Sequence, residues 1–185
     1  MSNLTINNIK DIFRVIEQKI GSYSIFIESG TFYGQTILSL QKIFKHIYTI
    51  ELSDKYFLDF SKIAQKYDNI YNYHGDTTNI LPKILNIIDD NSIFWLDGHW
   101  SSGDTAKGTK DCPLIEECLC IDNSYNFEYA LVLIDDFRLF GTKNNEDWTN
   151  ITREKIMDCF KRLTIIQNFI YNDILVLLIK NNEFI

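Results

Sequence analysis

The sequence predicts an α/β protein built on a doubly wound, mostly parallel seven-stranded sheet that finishes in a C-terminal antiparallel hairpin. Three observations carry this. Short runs rich in Ile, Val, Phe and Tyr alternate with longer amphipathic stretches, the pattern of strands joined by helical crossovers. Five such runs follow one another, and right-handed crossovers lay them side by side in one parallel sheet. The tail, "RLTIIQNFIYNDILVLLIKN", instead holds two strand-like runs separated only by "YND", too short for a parallel crossover and right for a hairpin.

Taken in order, residues 1–21 form a leading helix, with Ile9, Phe13, Ile16 and Ile20 at helical spacing. The five runs are "YSIFIE" (23–28), "HIYTIE" (46–51), "NIYNYHGD" (69–76), "SIFWLD" (92–97) and "ALVLIDD" (130–136). Helix-like stretches occupy 34–44, 54–66, 78–88, 112–122 and 151–162. There is no internal repeat or low-complexity tract, and with two prolines no interdomain linker stands out, so the 185 residues read as a single domain. Residues 100–111, including "SSGDTAKGTKD", are expected to form an active-site loop over the cleft; the plainer reading is a solvated connection, and the length favours the functional one.

Composition narrows the function. At 45% hydrophobic and 14% aromatic the chain can bury a full core. A net charge of -7 argues against a phosphate-backbone binder, so no nucleic-acid partner is expected. The opening "MSNLTINNIKDIF" lacks the basic region and apolar stretch of a secretion signal, and "ILVLLI" is far too short to span a bilayer; a cytoplasmic protein with no membrane partner is expected. Cys112, Cys118, Cys120 and Cys159 lack paired C-x-x-C spacing and read as buried, reduced thiols. The heavy use of Ile, Asn and Lys suits an AT-rich genome.

The five parallel runs end on or just before carboxylates: Glu28, Glu51, Asp76, Asp97, and the pair Asp135 and Asp136. In a doubly wound sheet those ends share one edge, where ligands bind beside the topological switch point. A single acidic strand end is ordinarily a helix cap or a solvated terminus, whereas acids at all five converge on one cleft. The first turn, "ESGTFYGQT", offers Gly30 and Gly34 for a tight bend and close approach to a ligand, and Glu51 follows roughly 20 residues on, where nucleotide-binding folds put a ribose-binding acid. The spacing is G-x-x-x-G and no Walker lysine follows, which disfavours a nicotinamide fingerprint and excludes a P-loop. An acidic rim repels a diphosphate but tolerates a cationic nucleoside such as S-adenosylmethionine.

Read together, "FIESGTFYGQT", "YTIELS", "YHGDTTNIL", "WLDGHW" and "LVLIDDF" with the terminal hairpin resemble the class I S-adenosylmethionine-dependent methyltransferases over nearly the whole chain. Within that class, an Asp-Gly strand end with a nearby histidine, followed by an acidic pair, is similar to metal-dependent small-molecule and sugar O-methyltransferases of the macrocin type; here His99 stands directly after Gly98, one residue short of that spacing. The resemblance implies a Rossmann-like methyltransferase fold. It implies that Glu28, Gly30 and Gly34 shape the methionine and ribose pocket, with Thr31 donating to the carboxylate. Glu51 would accept from the ribose hydroxyls, and Asp76 with Thr77 would lie beside the adenine. Asp97, Asp135 and Asp136 would hold a divalent cation, Mg²⁺ being the expected one.

The chemistry so implied is methyl transfer to a hydroxyl of a small polyol, a sugar or nucleotide sugar. A cation bound by hard carboxylates orients a diol and lowers its hydroxyl pKa. His99 would take the proton, an imidazole's ordinary pKa of about 6.5 suiting proton transfer near neutrality. Against this, a lone histidine at a strand end is usually a packing or hydrogen-bonding residue, and adjacent strand residues such as Asp135 and Asp136 point to opposite faces unless the backbone has turned. Trp95 and Trp100 read as core before ligand platform. Lys107 and Lys110 suit a phosphate on the acceptor, and Asp104 and Arg138 are further candidates without roles. The rivals are a nucleotide-sugar NAD-dependent oxidoreductase and a non-catalytic relative acting as a partner subunit; a homo-oligomer is compatible with any of these.

Overall fold

A computed structural model of the chain describes residues 4–99, 112–124, 126–143 and 146–184. The expected loop at 100–111, with Trp100, Asp104, Lys107 and Lys110, lies outside them. Helix α1 (Ile6–Val15) opens with a capping box, Thr5 Oγ1 accepting from the Asn8 amide while Asn8 Oδ1 accepts from that of Thr5. It stops short of the predicted end because Glu17 turns left-handed at φ 55°, and a 3-10 turn (Ile20–Ser22) leads on to the sheet.

Five strand–helix units follow: β1 (Ile25–Ser29) and α2 (Gln35–Leu40), β2 (His46–Glu51) and α3 (Asp54–Ala64), β3 (Ile70–His74) and α4 (Thr77–Leu85), β4 (Ser92–Leu96) and α5 (Leu114–Asp122), β5 (Tyr129–Ile134) and α6 (Arg153–Asp158). The hairpin of β6 (Thr164–Tyr171) and β7 (Ile174–Lys180) closes the chain, its turn made by Asn172 at φ 53°, a conformation asparagine tolerates well. The seven strands run in the order β3-β2-β1-β4-β5-β7-β6, with the first five parallel and β7 antiparallel to both of its neighbours. The expected fold class is therefore the observed one. The crossovers change direction between β1 and β4, so the switch-point cleft opens above their carboxyl ends.

Strand alternation sorts the core into two layers. Ile25 and Ile27 of β1, with Phe94 and Leu96 of β4, face α4, α5 and α6. Phe26 of β1, with Ile93 and Trp95 of β4, faces α1, α2 and α3. Because β1, β4, β5 and β7 are covered on both faces, they are buried along nearly their whole length and apolar over most of it. Among the described residues no helix is long and apolar enough to cross a membrane.

Gly34 shows how tightly the α2–α3 layer closes. It caps α2 at φ 68°, and a Cβ there would fall 2.0 Å from the Phe60 ring of α3. Gly34→Ala should therefore destabilise the free protein by at least about 1–2 kcal/mol, the cost of a left-handed non-glycine residue alone. For a domain of this size that is a fall of about 3–6 °C in melting temperature, readable by calorimetry. An unchanged melting temperature would mean that the turn tolerates alanine at this φ and that α3 also yields to the added methyl.

Candidate functional site

The site is organised by the junction of β1 and β4. The Asp97 amide donates to the Ser29 carbonyl at 3.2 Å, and Gly30 turns at φ 85° so closely over β4 that a Cβ would meet the Asp97 carbonyl oxygen at 2.5 Å. Only glycine fits there. One residue further on, a Cβ on Gly98 would press on the Ser29 side chain at 3.0 Å.

On the α2–α3 side, the turn after β1 is tied to the end of β2 by Glu51. Its Oε2 accepts from the Phe32 amide and its Oε1 from the Ser53 amide, both at 2.8 Å, and Phe32 sits at φ 48° to make the first bond. Each carboxylate oxygen keeps a second lone pair, so Glu51 retains acceptor capacity toward ribose hydroxyls. Three residues of this turn make contacts within the protein itself. The Thr31 hydroxyl does not face a ligand carboxylate; it points inward to Thr49 Oγ1 at 2.6 Å, and Thr49 in turn donates to Glu28 Oε2 at 2.9 Å. Glu28 is accordingly a buried link between β1 and β2, and burial pushes its carboxyl up to about 8 against the hydrogen bonds of Thr49 and Thr36. Gly34 makes room for Phe60, not for a ligand.

At the end of β3, Asp76 serves as the N-cap of α4, its Oδ1 accepting from the Thr78 amide and hydroxyl. Thr77 is buried at the first position of that helix. Trp95 is fully buried core.

The β4–β5 side gathers the remaining candidates. The His99 side chain is only 8% exposed; its Nε2 lies 3.1 Å from Asp136 Oδ2 and 3.7 Å from Glu146 Oε2, and its Nδ1 lies 3.8 Å from Asp97 Oδ1. Trp148 meets the imidazole edge-on at 4.9 Å and donates its indole N–H to Glu146 Oε2. Asp136 adopts φ 57°, so the backbone has turned between the two aspartates. Arg138 spans Asp136 and Asp173 of the hairpin turn. Burial works to raise the Asp136 carboxyl, but the hydrogen bonds and charges of His99 and Arg138 outweigh it and hold it below the ordinary range. Asp97 has no such help. Burial, then the neighbouring Asp135, Glu28 and Asp136, raise it well above a normal carboxylate.

The turn at Asp136 also redraws the expected metal set of Asp97, Asp135 and Asp136. Among the described residues, two groups bring donor atoms within 4.8 Å of one another, Asp97 with His99 and Asp136, and Asp135 with Asp136 and Asp173. In the second, Arg138 already bridges Asp136 and Asp173. In the first, a mixed imidazole and carboxylate set suits Mn²⁺ better than Mg²⁺, which prefers oxygen alone. Glu146, Trp148 and Asp173 carried no sequence signal, since they reach the site from a loop and a hairpin turn. Arg138 stood out only as a cation beside the acidic pair.

No family model matches the sequence, and no curated protein matches it. Solved structures do. The chain is similar to an S-adenosylmethionine-dependent methyltransferase from Clostridium acetobutylicum, with a TM-score of 0.58 at 11% identity over 95% of this chain and 89% of the other. It is similar to an assigned caffeoyl-CoA O-methyltransferase from Staphylococcus aureus, with a TM-score of 0.59 at 15% identity over 98% of this chain and 85% of the other. A variant of MtNAS in complex with S-adenosylmethionine aligns with a TM-score of 0.56 at 10% identity, over 95% of this chain and 61% of that one. The chain thus has the Rossmann-like fold of the S-adenosylmethionine-dependent methyltransferases.

Proposed function

We propose that the protein is an S-adenosylmethionine-dependent O-methyltransferase acting on a hydroxyl of a small polyol, a sugar or nucleotide sugar, with His99 as general base. The observation that carries the reading is the buried Asp136–His99 pair beside Asp97, at the switch point of a methyltransferase fold. The bound cofactor supplies an electrophilic methyl group on a sulfonium. Gly30 and Glu51 would hold it, one by letting the turn approach closely and the other by accepting from the ribose. Asp136, kept ionised, accepts from His99 Nε2–H, which leaves the lone pair on Nδ1 to take the acceptor's hydroxyl proton. The same carboxylate then stabilises the imidazolium.

A second reading is favoured by the crowding around Asp97: a divalent cation held by Asp97, His99 and Asp136 would relieve the repulsion that raises its carboxyl. The first reading is preferred because His99 Nε2 already pairs with Asp136 Oδ2 at 3.1 Å, which seats the imidazole without a cation. The oxidoreductase alternative is not supported by the fold likenesses, and its glycine fingerprint is missing from the turn after β1.

Binding comes first. S-adenosylhomocysteine should raise the melting temperature while NAD⁺ leaves it unchanged, and Glu51→Ala should lower the melting temperature of the free protein and shrink the ligand-induced rise. The reverse ligand preference would remove the methyltransferase reading. In turnover assays with nucleotide sugars, His99→Ala should lower kcat by about 10²–10⁴-fold, as expected for loss of a general base, with S-adenosylhomocysteine affinity nearly unchanged. Full activity in that variant would exclude His99 as the base. Treatment with EDTA should leave turnover intact; loss of turnover, restored by Mn²⁺, would transfer His99 to the ligand set of a cation.

A further inference from the structure

Helices α4 and α5 run back from the carboxyl edge of the sheet, so their last turns stand at the opposite edge from Asp97 and His99. Between those last turns lies a cavity of about 220 Å³, room for about seven waters. Its apolar wall is Pro82 and Leu85 of α4 with Cys120 of α5, which is half-buried where Leu114, Glu117, Cys118 and Ile121 of the same helix are buried. Its polar wall is Asn86, Asn123 and Asn126. Ser124 stands in the same wall, 7% exposed, with a hydroxyl that has no hydrogen-bond partner.

The polar wall is one-sided. The last carbonyls of a helix lack partners within it and carry the negative end of its dipole, and Asn86 and Asn123 are the C-caps of α4 and α5. Asn126 Nδ2 donates to the Leu85 carbonyl at 2.7 Å, and Asn123 Nδ2 donates to the Leu119 carbonyl at 2.8 Å. Both amides thus spend donors on the helix ends and keep an Oδ1 that can only accept. No lysine or arginine is among the described residues of the wall to offset the two dipole ends, and the chain as a whole carries a net charge of -7.

We propose that this cavity binds a small primary amine as its ammonium, with the apolar body against Pro82, Leu85 and Cys120 and the N–H donors on the asparagine oxygens. The assignment is independent of the methyl-transfer reading. An ammonium brings donors and a positive charge to acceptors at two negative helix ends, and a hydrogen bond given by an ionised group is about twice as strong as a neutral one. An alcohol brings one donor and no charge. A carboxylate brings acceptors to acceptors.

Cys120 reports occupancy, because Cys112, Cys118 and Cys159 are buried. Burial, then the charge of Glu117, pushes its thiol up to about 11, so its reaction with methyl methanethiosulfonate at pH 8 should be slow enough to follow by mass spectrometry. The probes are 3-methylbutylamine, 3-methylbutanol and 3-methylbutanoate, which share one branched carbon skeleton. The amine should slow the modification about threefold or more at about 1–10 mM, the range open to so small a ligand. The alcohol should need about tenfold more, and the carboxylate should give no protection. Asn86 is exposed and caps α4 at an ordinary φ of -77°, so Asn86→Lys should keep the melting temperature while its own ammonium takes the place of the ligand's. In that variant the amine should give no further protection. Equal protection by the three probes, no protection by the amine, or undiminished protection in Asn86→Lys overturns the proposal. Protection by Nα-acetyl-lysine amide equal to that by the amine would give the cavity to a lysine side chain of another protein and overturn its assignment to a free amine.

Discussion

Every group at the site owes its place to the contact of β1 with β4. Two parallel strands whose crossovers leave in opposite directions open a cleft above their carboxyl ends, but a cleft is only as sharp as the turns that bound it. Here Gly30 leans on the Asp97 carbonyl and Gly98 on the Ser29 side chain, so the two turns interlock. The interlock sends alternate residues of β1 to opposite duties. Glu28 enters the α2–α3 layer and accepts from Thr49, while Ser29 enters the α4–α5 layer and stands near Glu117. Asp97 and His99 are left above the seam, facing the end of β5.

The acids so gathered do not behave alike, and the reason is local. Glu28 and Glu117 are driven upward chiefly by loss of water, and Asp97 by loss of water and then by its own neighbours. Asp136 goes the other way because Arg138 and His99 supply the charge and the hydrogen bonds that water would have supplied. A chain with a net charge of -7 thus builds a site in which the carboxyls of Glu28, Glu117 and Asp97 are raised and that of Asp136, which touches the histidine, is lowered.

Much of this was legible in the sequence, for a definable reason. Period-two burial and unbroken apolar runs are properties of the strands themselves, so "SIFWLD" and "ALVLIDD" announced both the sheet and the edge on which Asp97 and Asp136 stand. What a polar side chain does at that edge depends on its neighbours in space. Thr31 was expected to face a ligand but turns inward because Thr49, in the adjacent strand, offers a partner. Gly34 was read as room for a ligand and is room for Phe60, which arrives from another helix. Glu117 stayed hidden because "LIEECLCI" reads as an amphipathic helix in which either glutamate is free to face water. Only the packing of α5 against α4 shows which of the two is buried.

The separation of these groups also limits the order in which a reaction could be assembled. The Asp136–His99 pair and the Glu51 turn lie on opposite sides of the β1–β4 seam, with Asp97 between them. On the proposed reading, a methyl group presented from the Glu51 side would cross Asp97 to reach the base, and an acceptor would meet it from the β5 side, where Trp148 and Glu146 stand. Trp148 is itself buried and donates its indole N–H to Glu146. On that reading the acceptor side of the cleft takes Asp136, Glu146 and Trp148, which follow β5 in the chain, and the cofactor side takes Gly30 and Glu51, which stand at the ends of β1 and β2. A substitution among the former should alter the choice of acceptor while leaving cofactor affinity unchanged, which is the pattern that grafting many substrates onto one fold requires.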